Sequence, residues 1–181
     1  VDAIIPADGW PEGTREVWKG ADAGATASPE TAVAAYRRAT SRKSDVERQM
    51  DDRTKTGVFT GAFATNPVNG NPIPVFVADY VLMGYGTGAI MAVPAGDQRD
   101  YDYATEFELP IVDVIAPVGA VDWLGTVALG HSFTDPGVAI NSSNDAVSLD
   151  GLGTVDAKAR ITAYLQDNGI GRGTVNYRLR D

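Results

Sequence analysis

The chain has 181 residues, 44% of them hydrophobic, enough to bury a core in one domain with elaborations. It holds no cysteine and one histidine, His131, which excludes thiolate chemistry, Cys/His structural zinc and any multi-histidine metal site while leaving a carboxylate-only site open. The net charge of -9 argues against a free-standing nucleic-acid binder, because phosphate contacts need clustered Lys and Arg; a nucleic-acid partner would have to be held by something else.

The first 28 residues are punctuated by Gly and Pro, with Trp10, Val17 and Trp18 as anchors, and predict loop with at most short structure. Ser28-Pro29 supplies an N-cap followed by proline at the first helical position, so a helix is expected to about Arg42, resuming over Asp45 to Asp51. Its basic stretch, Arg37, Arg38, Arg42, Lys43 and Arg48, reads as a solvated face or as a phosphate contact. From Gly57 the period changes. VFTGAFAT, a turn at Asn69-Gly70, PIPVFVADYVLM and AIMAVP predict successive strands. Asp97 to Phe107 is helical in pattern, IVDVIA reads as a strand, and residues 116–150 as short strands and loops. Thr154 is expected to cap a helix with Val155, Ala159, Ile161, Ala163, Tyr164 and Leu165 inward, stopped by Gly169, before a last strand TVNYRLR. Many short strands with few helices predict a mostly β fold with helices, a barrel decorated by helices. The apolar runs, such as Ile73 to Val77 and Ala89 to Val93, are far shorter than the roughly 20 residues of a spanning helix, and no signal-peptide core is seen, so a soluble cytoplasmic protein is expected.

The stretch GYGTGAIMAVPAGDQRDYDY concentrates the chemistry. As a dinucleotide fingerprint Gly84 to Gly88 fails, because its glycines precede an apolar run instead of opening a helix; a tight turn or a close backbone approach to a ligand remains. At about 100° per residue, Asp97, Asp100, Tyr101, Tyr103, Ala104 and Phe107 share one side of the next helix, opposite Gln98, Arg99, Asp102 and Glu106. Asp97 is either an N-cap or part of a site. Asp100 either completes the helix start or presents a carboxylate to a ligand ammonium in an apolar pocket. Met91 and Val93, alternating on the predicted strand, point to one side, either as core or as pocket wall. His131 lies in GHSF without a nucleophile elbow, which gives a Ser-His-Asp machine no support.

KTGVFTG at 55–61, NPVNGNPIPVFVADYVLMGYGTGAIMAVP at 66–94 and DQRDYDYA at 97–104 resemble the editing domain inserted in bacterial leucyl-tRNA synthetase, and the likeness runs from about residue 36 to the closing YRLRD. The resemblance implies the six-stranded, barrel-like editing fold shared with the valyl and isoleucyl enzymes. It implies hydrolysis of the ester of a misattached amino acid, norvaline or isoleucine, on leucine tRNA by a positioned water. In it Asp100 grips the α-ammonium, Asp97 and Arg99 support the site, and Tyr85, Gly86, Thr87, Gly88, Met91 and Val93 border the amino-acid and terminal-adenosine pocket. No metal or cofactor is implied for editing; ATP and Mg belong to the parent synthetic domain. The implied partners are the leucine tRNA acceptor end and the remainder of a monomeric synthetase, with no membrane. Two departures stand out: Ala95-Gly96-Asp97 replaces the family's Gly-His-Asp, and the family's threonine-rich segment is expected upstream of Val1, making residues 1–181 a single editing domain that is a fragment. A non-catalytic module docking the tRNA acceptor end, or packing in the same synthetase, is the alternative, as is the editing domain of a valine or isoleucine enzyme.

Overall fold

The computed structural model describes residues 2–20, 27–41, 55–81 and 88–174. They fall into two compact units, Val1–Asn66 with Gly70–Ile90 and Glu106–Glu108, and Pro67–Asn69 with Met91–Thr105 and Leu109–Asp181.

The first unit begins with two 3-10 turns, Asp2–Ile4 and Glu16–Lys19, so the expected short structure is what forms there. Helix α1 (Pro29–Thr40) starts as the sequence predicts: Ser28 Oγ accepts from Thr31 N–H at 3.3 Å, and Thr31 Oγ1 accepts from Ser28 N–H at 3.2 Å. Its expected continuation beyond Ser41 lies outside the described residues, as do Arg42, Lys43 and Arg48. Strand β1 (Gly57–Thr65) pairs antiparallel with β2 (Pro72–Ala78), and Gly70, at φ +75°, turns the hairpin as expected. Strand β2 is shorter than PIPVFVADYVLM, because a turn follows Ala78.

Ala32 and Val33 of α1 pack on Val58 of β1, with Ile5, Trp10, Tyr36 and Val77 around them. An aromatic cluster extends this core. Phe59 and Phe76 are cross-strand partners with centroids 5.5 Å apart, and Trp18 meets both edge-on, at 5.2 and 5.5 Å. The Trp18 indole N–H donates to Phe107 O at 2.6 Å, and the Phe107 ring packs 5.6 Å from Phe76. Trp10 and Trp18 are thus anchors as expected, whereas Val17 is exposed, because in a tight 3-10 turn it faces away from its neighbour Trp18.

The register of the hairpin shifts between Phe59 and Phe63. Thr60, fully buried, donates its hydroxyl to Val75 O at 2.8 Å, and Gly61 takes φ +80° where a Cβ would sit 2.8 Å from Pro29 Cγ and Pro6 Cγ. The glycine inside VFTGAFAT therefore marks a bulge pressed against two prolines.

The second unit holds α2 (Gln98–Glu106) except its last residue, β3 (Ile115–Ala116), the short α3 (Thr126–Leu129), β4 (Val138–Ala139) and α4 (Thr154–Asp167). Strands β3 and β4 pair antiparallel. Only the end of IVDVIA is strand, and AIMAVP is not one: Val93 O is taken by Gly96 N–H and Asp97 N–H in a turn. Among the described residues the strands form two two-stranded sheets, a mixture of helix and strand, and no closed six-stranded barrel.

Helix α4 differs from expectation in two respects. Gly153, not Thr154, occupies the cap position, and the Thr154 hydroxyl instead donates to Gly137 O at 3.1 Å and accepts from Gly137 N–H at 2.9 Å. Its buried residue is Ala157; Ile161, Tyr164 and Leu165 are half-buried, while Val155, Ala159 and Ala163 are exposed, so the covered stripe is narrower than the apolar pattern. Gly169, at φ +67°, ends the helix as predicted. No described helix is long and apolar enough to cross a membrane.

Tyr36 of α1 joins three segments of the first unit, donating to Thr56 O at 2.9 Å and accepting from Asp79 N–H at 3.0 Å. Burial, with the Asp79 charge adding to it, pushes its hydroxyl up from 10.0 to about 12. Because the folded state favours the neutral phenol, its contribution is complete below pH 10.0 and is lost as pH rises through about 12. Tyr36→Phe is expected to cost about 0.5–1.5 kcal/mol near neutrality. Melts of both proteins across the alkaline range check this: the gap between them should shrink as pH rises, and a constant gap refutes the buried-phenol account.

Candidate functional site

The segment from Met91 to Asp102 forms a turn followed by the first turns of α2. A helix start leaves its leading N–H groups without helical partners. Asp97 answers this directly: its Oδ1 accepts from Arg99 N–H at 2.9 Å and Asp100 N–H at 3.2 Å, making it the N-cap. Arg99 Nε stands 4.0 Å from the same oxygen, an exposed pair of little energetic weight.

Asp100 is different, for it is only 6% exposed. Its Oδ2 accepts from Val93 N–H at 2.8 Å, so the carboxylate reaches back across the turn to the residue that opens it. The positive end of the helix favours the charge from behind. Tyr101, Tyr103, Ala104 and Phe107 are buried with it, and Gln98, Arg99 and Glu106 are exposed, as the helical wheel predicts, whereas Asp97 and Asp102, placed on opposite sides by the wheel, are both half-buried.

Met91 and Val93 stand beside this turn with 58% and 52% of their surface exposed. Their expected alternation on a strand does not occur, since the segment is irregular, and the core role that was the other reading is excluded by exposure. Gly88 has φ +78° and belongs to the first unit; Tyr85, Gly86 and Thr87 lie outside the described residues. The structure thus brings together Val93, Asp97, Arg99 and Asp100, with Met91 two residues before Val93. His131 is exposed, its Nδ1 2.8 Å from Ser132 O.

Sequence reasoning missed a second layer. Ser132, buried, contributes its N–H and hydroxyl to Gln98 Oε1 at 3.0 and 3.1 Å, and Phe133 N–H donates to Ala95 O at 2.9 Å. Nothing in the local pattern of GHSF signals a partner 34 residues away.

A family model described as leucyl-tRNA synthetase, editing domain, matches residues 22–166. The chain belongs to the leucyl-tRNA synthetase editing-domain family. Relatives agree along the whole chain: the leucine--tRNA ligase of Streptomyces griseus is 57% identical over all of it, that of Streptomyces coelicolor also 57%, and that of Salinispora arenicola 51%. The editing-domain chain spans 18% of the length of each of these ligases.

Within this editing domain, Asp97→Ala removes the acceptor of two helix-start N–H groups and is expected to lower stability by about 1 kcal/mol. A thermal melt of the variant measures it, and an unchanged melt refutes the capping role.

Proposed function

We propose that this chain hydrolyses the ester linking a misattached amino acid, norvaline or isoleucine, to leucine tRNA, acting within a larger, monomeric, cytoplasmic leucine--tRNA ligase. Asp100 carries the reading. A buried carboxylate at the first turn of a helix, beside exposed Met91 and Val93, has the chemistry to take an α-ammonium while an apolar side chain rests on the neighbouring wall. Asp97 holds the helix start and Arg99 stands beside it. Tyr85, Gly86, Thr87 and Gly88 are assigned by resemblance to the amino acid and terminal adenosine. An aminoacyl ester is labile enough for a positioned water and fixed donors to suffice, and the reading uses no metal or cofactor in editing, with ATP and Mg serving the synthetic domain. The leucine tRNA acceptor end and the rest of the ligase are the partners. The six-stranded barrel and the upstream threonine-rich segment belong to the same proposal.

Two substitutions separate charge from clamp at Asp100. Asp100→Asn keeps an acceptor for Val93 N–H, whereas Asp100→Ala leaves that N–H without it, at a cost of about 1–3 kcal/mol. In the full-length ligase, Asp100→Asn is therefore expected to melt close to wild type and to lose deacylation of isoleucine-charged leucine tRNA by about a hundredfold or more. Wild-type turnover in Asp100→Asn sinks the ammonium role.

Met91→Ala tests the wall. With the side chain more than half exposed, stability should change by no more than about 0.5 kcal/mol. Hydrolysis of correctly charged leucine tRNA should rise, because the wall that excludes leucine has receded. Continued protection of the leucine ester would remove Met91 from the sieve.

A further inference from the structure

We infer that Gln98 is a positioning residue of this site: its amide locks the first turn of α2 to the 131–133 loop and so fixes the spacing between Asp100 and the Val93 backbone. The inference rests on the hydrolase reading above for its consequence, though not for its geometry.

Gln98 is the first residue of α2 and lies on the side away from Asp100, a position where a side chain ordinarily trails in water. Here it is bound at both ends. Oε1 accepts from Ser132 N–H at 3.0 Å and from Ser132 Oγ at 3.1 Å, while Nε2 donates to Asp102 Oδ1 at 2.7 Å. The partners dictate the orientation of the amide, since a backbone N–H only donates and a carboxylate only accepts. Gln98 is therefore a directional bridge that neither a carboxylate nor an apolar isostere reproduces.

The bridge is tied to the groups proposed to act. Phe133 N–H donates to Ala95 O at 2.9 Å, so the loop grips the turn as well as the helix, and the Phe133 ring packs 5.4 Å from Trp123 to anchor the loop in turn. Inside the turn, Val93 O accepts from Gly96 N–H and Asp97 N–H, and Val93 N–H donates to Asp100. The turn is thus held from within by Asp100 and from outside by the loop. Without Gln98 the Asp97 cap still starts the helix, but the first turn loses its lateral support. An error of about 1 Å in a binding group costs up to about a hundredfold in rate.

The test uses the full-length ligase containing this chain, with Gln98→Glu, Asp102→Asn and the two combined. Gln98→Glu sets a carboxylate against Asp102 and is expected to lower kcat for deacylation of isoleucine-charged leucine tRNA by about 10- to 100-fold, with KM and the rate of leucylation unchanged. Asp102→Asn should stay near wild type, because an amide oxygen still accepts from Gln98. The combined variant should regain most of the loss, because Asn at 102 donates to Glu at 98. Amide hydrogen exchange at Val93 gives a readout independent of turnover: faster in Gln98→Glu, restored in the pair. Unaltered kcat and exchange in Gln98→Glu, or a pair no better than the single exchange, overturns the inference. A wild-type ligase that fails to deacylate overturns the hydrolase reading instead, and the Val93 exchange still decides the role of Gln98.

Discussion

The hydrogen bond from Val93 N–H to the buried carboxylate of Asp100 is the constraint on which the site depends. Burying a carboxylate carries a desolvation cost, tolerable only where donors and a favourable field surround it, and this bond supplies one such donor. The helix start provides that field, and the N-cap Asp97 keeps the start in place by accepting two N–H groups. Two acids three residues apart therefore do different work: one, half-exposed, holds the helix, and the other, buried, holds the turn.

The same logic of satisfied polar groups runs through the first unit. Thr60 spends its hydroxyl on Val75 O at the bulge, Trp18 spends its indole N–H on Phe107 O, and Tyr36 serves Thr56 and Asp79 at once. Each lets a polar atom enter an aromatic or aliphatic core without an orphaned donor. The aromatic rings then supply the contact area that a hairpin and one helix lack by themselves.

For the proposed chemistry, discrimination is the hard part. A pocket tells apart side chains differing by one methylene by only about 1–3 kcal/mol, so a second sieve with the opposite size preference is the economical solution. In the proposed function that task falls to exposed apolar side chains next to a buried acid, with the common ammonium given to the acid and the side chain to the wall. The acid lies on a helix and Val93 on the turn before it, and one hydrogen bond joins the two.

The sequence by itself determined the local devices: the Ser28 N-cap, the Asp97 cap, the Gly70 and Gly169 stops and the buried side of α2. It also carried enough motif for the family to be recognised in DQRDYDYA and its neighbours. These features are legible because they are settled within a few residues, by backbone preferences and helical periodicity. Reading AIMAVP as a strand failed for the complementary reason: an apolar run states that a segment is hydrophobic, not which partner takes its backbone hydrogen bonds. Thr154 was equally good as a cap or as a bridge to Gly137, and only the approach of Gly137 chose. The tertiary structure alone decided that Gln98 meets Ser132 across 34 residues and Trp18 meets Phe107 across 89, because contacts so distant in sequence follow from how the elements pack and leave no periodic trace in the chain.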